Sequence, residues 1–190
     1  KQFVQKFADA SFSTDERNTI ISGARPIEIT NIALQGQGFV LGKFSNKTST
    51  GVAGANQTFV DTDFPLFRLG DVYLMYAECG LRGATGGTLN EAFNYVKAVR
   101  DRSHAPTADF NATTALTLNF ILDERARELN FEGHRRTDLI RFGKFTGGGY
   151  LWPWKGGSAT GSAIPSHYNL FPIPQSAIAA NPNLTQNPGY

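Results

Sequence analysis

The spacing of apolar and polar positions along this 190-residue chain changes twice, and each change marks a different kind of structure. Residues 1–66 carry only short hydrophobic runs. Phe3, Val4 and Phe7 fit one helical turn, and Ser11–Asn18 reads as polar loop. Ile27 and Ile29, continued at Ile32, place Glu28 and Thr30 on the opposite face, the alternation of a short strand. Phe39, Val40 and Leu41 suggest a second short strand among Gly36, Gly38 and Gly42, and residues 45–57 are loop. From Phe67 the period becomes helical. Leu69, Val72, Tyr73, Tyr76 and Cys79 predict a helix over about Phe67–Arg82, stopped by Gly83. Past the Gly86–Gly87 turn, Thr88 with Glu91 three residues on is a capping box. It opens a second helix to about Arg102, with Leu89, Ala92, Phe93, Val96 and Val99 as its buried stripe. Arg100 and Arg102 suit the negative end of the helix dipole, and Pro106 forbids continuation. A third helix, about Leu116–Phe131, presents Leu118, Ile121, Leu122 and Leu129. A fourth runs from about His134 to Phe142 and closes at Gly143.

Two helical hairpins in sequence predict a mostly α fold: irregular tetratricopeptide-like hairpins with long loops and a few short strands. Their offset of roughly 50 residues exceeds the regular repeat of about 34. Residues 1–66 lead into a helical domain over 67–190, and the two form one structural unit. From Gly147 to Tyr168 the helical signal stops, and Tyr150, Trp152, Trp154 and Tyr168 stand among glycines and serines. Prolines make Phe171–Pro174 extended, Ser176–Ala180 fits a helical turn, and Asn187–Tyr190 ends in a turn.

Composition narrows the function classes. A hydrophobic content of 41% with 12% aromatics excludes a disordered chain. Net charge is +2 and the signs are mixed, so no basic stripe recommends a nucleic-acid partner. One cysteine precludes an intrachain disulfide, and the apolar neighbours of Cys79 predict a buried, inert thiol. No apolar run reaches the roughly 18 residues of a membrane helix, and Lys1–Gln2–Phe3 has no targeting character.

Charge concentrates between Leu122 and Lys144, where eleven charged residues of both signs are threaded with Leu122, Leu129, Phe131, Leu139 and Ile140. Glu124, Glu128 and Glu132 recur every four residues, stacking three carboxylates on one helix face. Like charges at that spacing repel by about 0.2–0.5 kcal/mol per pair, so compensation is required. With Gly133 breaking the helix, Arg135, Arg136 and Arg141 fold back beside the glutamates to make an ion-pair corner. Read alternatively, the Glu124/Glu128/Glu132 row would be the carboxylate pair of a hydrolase, which needs two carboxyls about 5–9.5 Å apart facing an open cleft. His134 beside Glu132 and Asp138 lacks a second nearby histidine for zinc, and His104 and His167 fall in unrelated loops. No Gly-x-Ser-x-Gly elbow exists for a serine nucleophile. In the glycine-rich loop, Pro153 favours an extended backbone before it, which would set Tyr150, Trp152 and Trp154 on one side. Facing solvent, they would stack on the CH faces of a sugar. Facing inward, at least one of Trp152 and Trp154 would be mostly buried.

Four segments carry a family resemblance in the right order. ILDERARELNFEGHRRTDLIRFGKF, FPLFRLGDVYLMYAECGLRG, Asn90–Arg102 ending in V-R-x-R, and FPIPQSAIAANPNLTQNPGY together span about residues 64–190. They resemble the C-terminal portion of the SusD/RagB family of outer-membrane nutrient-binding lipoproteins. The resemblance implies non-catalytic capture of an oligosaccharide or starch-like polysaccharide at the extracellular face of the outer membrane. It also implies delivery to a SusC-like TonB-dependent transporter as partner, with peptide or another nutrient as the alternative ligand. It implies an upstream N-terminal half bearing the signal, the lipid anchor and the first helical repeats, and Tyr190 as the natural C-terminus. No cofactor is expected beyond a structural calcium whose ligands the sequence does not identify.

Overall fold

A computed structural model describes residues 1–7, 15–56, 58–103 and 110–190. The polar loop expected over residues 11–14, His104 and Pro106 lie outside the described residues. The chain forms two compact units, Lys1–Arg135 and Arg136–Tyr190.

The first unit is built on three helices: α2 (Leu69–Leu81), α3 (Leu89–Arg102) and α4 (Leu118–Glu128), preceded by a single turn, α1 (Gln2–Gln5). The predicted capping box opens α3. Thr88 Oγ1 accepts from the Glu91 amide at 3.1 Å, and the Glu91 carboxylate accepts from the Thr88 amide at 2.8 Å. Thr117 does the same for α4, its hydroxyl accepting from the Phe120 amide at 3.0 Å. α2 packs on both α3 and α4. Their shared core is Leu74 and Ala77 from α2, Ala92, Val96 and Val99 from α3, and Ile121, Leu122 and Ala126 from α4. Phe93, Phe110 and Phe120 form a ladder of stacked rings with centroids 5.0 Å apart at each step. The Arg100 guanidinium lies over the last two.

Three expectations need correction. The third helix ends at Glu128 rather than Phe131, because Phe131 and Gly133 both take left-handed backbone (φ 59° and 79°). The expected strand at Ile27–Ile32 does not form. Gln37 Oε1 accepts from the Thr30 and Asn31 amides, and Arg25 donates to the carbonyls of Gln37 and Gly38, so side chains satisfy this segment as a loop. Val40–Leu41 (β2) pairs instead with Ile20–Ile21 (β1), antiparallel, with Ile20 opposite Leu41. Finally, Cys79 is exposed. It lies on the α2 face turned away from α3 and α4.

In the second unit, the segment from Arg136 belongs to α5 (Arg135–Arg141) and is followed by loops and α6 (Gln175–Ala180). The terminal motif has a clear physical role. The Gln186 side-chain amide accepts from the Ile173 amide at 2.8 Å and donates to the Ile173 carbonyl at 2.9 Å, imitating a β-bridge. Asn187 Nδ2 donates to the Phe171 carbonyl at 2.7 Å, and the Tyr190 hydroxyl to the Leu170 carbonyl at 2.8 Å. Prolines at 172 and 174 leave this extended stretch short of amide donors, and the tail supplies side chains to its carbonyls.

Candidate functional site

The three-glutamate row is buried at the centre of the first unit, with Glu124 0%, Glu128 2% and Glu132 5% exposed. Glu124 and Glu128 stand one turn apart on α4, and Glu132 lies in the turn that follows. Each carboxylate is held by cations from several elements. Glu124 receives Arg17 and Arg100, both at 2.7 Å, and Arg127 from its own helix at 3.0 Å. Glu128 receives Arg17 at 3.0 Å, Arg102 at 2.7 and 2.8 Å, and Arg68. Glu132 receives Arg68 Nε at 2.6 Å and Lys43. Gly70 makes room for this approach: a Cβ there would lie 2.8 Å from Arg68 Nη1 and 2.9 Å from Glu128 Oε1.

The compensation therefore comes from Arg17, Lys43, Arg68, Arg100, Arg102 and Arg127, and not from the cations the sequence reading chose. Arg135 donates to the Leu122 carbonyl at 3.0 Å. Arg136 donates to the Tyr168 carbonyl at 2.6 Å, with its guanidinium 3.9 Å from the Phe171 ring centroid, and Arg141 pairs with Asp138 at 2.7 Å. The sequence carries one retrospective signal. Arg100 and Arg102 end α3, where the dipole already favours cations, whereas Arg17, Lys43 and Arg68 meet their acids across 60–111 residues.

Burial alone would push the Glu124 carboxyl upward, but the guanidiniums of Arg127, Arg17 and Arg100 override it and hold the pKa at about 2. Glu132 is likewise lowered by Arg68 and Lys43 against the cost of burial. An acid catalyst needs the opposite, a carboxyl raised toward neutrality. This row is chemically suited to bind segments of the chain together, and it presents no carboxylate to a cleft.

The aromatic loop is the second candidate. Tyr150, Trp152 and Trp154 are each partly buried. They do not share a face through an extended backbone, because Trp154 adopts φ 68°, ψ 7° and the chain turns there. Phe145 stacks on Trp152 with centroids 6.2 Å apart, and Tyr150 tilts against the same indole, also at 6.2 Å. Lys155 was not foreseen. It is 2% exposed, and its ammonium donates at 2.7 Å to the carbonyls of Gly147 and Tyr150 while lying 4.7 Å from the Trp152 ring centroid. Burial lowers its pKa. A buried lysine thus closes the glycine-rich loop on itself.

A cleft of about 230 Å³ lies between Phe44 and Phe64, lined also by Ser45, Asn46, Val60, Thr62 and Asp63. Among the described residues, no group of three or more His, Cys, Asp or Glu is placed to hold a metal, and no helix is long and apolar enough to cross a membrane.

Comparison with known proteins covers nearly the whole chain. The model of the SusD family matches residues 5–190. The chain is 39% identical over 182 residues to the starch-binding protein SusD of Bacteroides thetaiotaomicron, covering 93% of this chain and 31% of that protein. A SusD superfamily protein of known structure from the same organism superposes with a TM-score of 0.69 at 28% identity, covering 99% of this chain and 40% of that one. Surface glycan-binding protein A, also from Bacteroides thetaiotaomicron, gives a TM-score of 0.60 at 29% identity over 81% of this chain and 31% of that one. The chain spans between about a quarter and a third of the length of the curated relatives it matches.

Proposed function

The chain belongs to the SusD family, and on that premise we propose that it is part of a non-catalytic protein that captures glycan at the bacterial outer-membrane surface. The observation that carries this reading is the 39% identity with a starch-binding protein over almost the full chain. The state of the carboxylates supports it from the chemical side. Glu124, Glu128 and Glu132 are each neutralised by at least two cations and buried, so the hydrolase alternative loses its candidate acid and base. In this proposal the protein is lipid-anchored at the extracellular face, and it hands its oligosaccharide to a SusC-like TonB-dependent transporter.

Within the chain, ligand contact is assigned to Tyr150, Trp152 and Trp154. Trp152 serves Phe145 and Lys155 as a packing surface, and all three rings keep part of their surface open to a sugar. Native gels cast with starch-like polysaccharides, run beside a turnover assay on a panel of glycosides, test the reading. Retardation without product is expected. Product release, or no retardation by any glycan, would overturn it.

A further inference from the structure

The two units differ in the balance of their charges. Of the 18 basic and 16 acidic residues, the second unit, Arg136–Tyr190, holds Arg136, Arg141, Lys144 and Lys155 against a single acid, Asp138. That acid is 1% exposed and bonded to Arg141, and the Lys155 ammonium is spent on the carbonyls of its own loop. The surface of this unit therefore shows cations and no acidic side chain. Two of those cations stand among rings. The Arg136 guanidinium lies 5.0 Å from the Phe145 ring centroid and 3.9 Å from that of Phe171, which is 69% exposed. Lys144 holds its ammonium 5.4 Å from the Tyr150 ring centroid. Phe145 stacks on Trp152, and Tyr150 tilts against the same indole, so the rings join the two cations in one run. In the first unit, each cation at the glutamate row has a carboxylate. Here Arg136 donates to the Tyr168 carbonyl, and neither it nor Lys144 has an acidic partner among the described residues.

We propose, resting on the capture of glycan argued above, that this run of rings and cations takes the acidic class of glycan. A sugar lays its CH face on Tyr150 and Trp152, and anionic groups along the oligosaccharide, carboxylate or sulfate, meet Lys144 beside Tyr150 and Arg136 beside Phe145. The chemistry of the two side chains sets this preference. Ammonium and guanidinium groups donate hydrogen bonds and accept none. A neutral sugar hydroxyl is served best by a donor and an acceptor together, and no carboxylate is present on this surface to accept from it. An anionic oxygen asks only for donors, and its hydrogen bonds to them are charge-assisted and about twice as strong as neutral ones. The Arg136 fork, held between two rings, suits the paired oxygens of a carboxylate or a sulfate. With no acid to offset them, the two cations also leave a positive potential that draws such a ligand in.

Titration calorimetry of the intact protein tests this, with oligogalacturonate and a sulfated dextran oligosaccharide as acidic probes and malto- and isomalto-oligosaccharides as neutral ones. Binding of at least one acidic probe roughly tenfold tighter than the neutral ones is expected, and added salt should narrow the gap. Tight binding of only one acidic probe would support the assignment and name its anion. Lys144→Gln should weaken the acidic probe by about three- to fivefold, the effect of one exposed charge pair, with the thermal midpoint unchanged. Lys97→Gln removes the same charge from the exposed side of α3, where Lys97 pairs with Asp101, and should not weaken it. Equal affinity for acidic and neutral probes, or equal effects of the two substitutions, would overturn the proposal and leave glycan capture standing. Competition by polyglutamate as effective as by oligogalacturonate would also overturn it, reducing the site to bare charge attraction. Binding of none of the four probes would remove the capture reading itself, and the acidic preference with it.

Discussion

At the scale of single residues, Glu124 shows what a fully buried charge requires of its surroundings. Removing a carboxylate from water is costly, and the loss is recovered only when cations meet it with good geometry. Its pKa of about 2 lies below the ordinary value of 4.5. The gain is therefore complete above about pH 4.5 and is lost as pH falls toward 2. That difference corresponds to roughly 3 kcal/mol, so denaturant midpoints measured from pH 5 down to pH 2 should fall steeply. Glu124→Gln should flatten that dependence and lower stability at neutral pH by about 3–5 kcal/mol, because Arg17, Arg100 and Arg127 lose their shared anion. Phe131 is a different case. Its left-handed backbone strains a bulky residue that is 58% exposed and contributes little burial. Phe131→Asn, a residue that tolerates this conformation, should raise stability by up to about 1 kcal/mol in a urea titration.

At the scale of elements, the helices were legible because their signals are local. Thr88 and Glu91 sit three residues apart and cap α3 in the structure as their spacing predicts. Thr88→Ala should cost about 1 kcal/mol, read as an earlier thermal midpoint. The tetratricopeptide-like hairpins followed from the same short-range rules. What stayed hidden has long range or special backbone. The acid row was visible in the sequence. Its cations were not, since Arg17, Lys43 and Arg68 carry no local mark of a partner 60 or more residues away. The aromatic loop was misjudged for another reason. Alternation places residues on one face only while the backbone stays extended, and Trp154 leaves that region. Nor does any pattern announce that Lys155 will be buried against Gly147, Tyr150 and Trp152. Lys155→Ala should release this loop, and acrylamide quenching of indole fluorescence should rise clearly while the far-ultraviolet helical signal holds.

At the scale of the whole molecule, the glutamate row is the point where separate stretches of chain are tied to α4. It gathers Arg17 from the stretch before β1, Lys43 from just after β2, Arg68 from the entry to α2, and Arg100 and Arg102 from the end of α3. A chain truncated before Leu118 keeps all five of these cations and none of the three acids, so it should show little helical circular dichroism and no cooperative melt. The same arrangement imposes an order on the ribosome. Synthesis delivers Arg17, Lys43, Arg68, Arg100 and Arg102 first and their carboxylates last, at about 5–20 residues per second. For the several seconds it takes to reach Glu132, those five cations lack the glutamates that hold them in the folded chain, although the segment before Leu118 balances eleven basic residues with eleven acidic ones and so carries no net charge to keep it extended. α2 and α3 already have each other to pack against, so the glutamate row works as a latch that closes last, drawing the earlier segments onto α4.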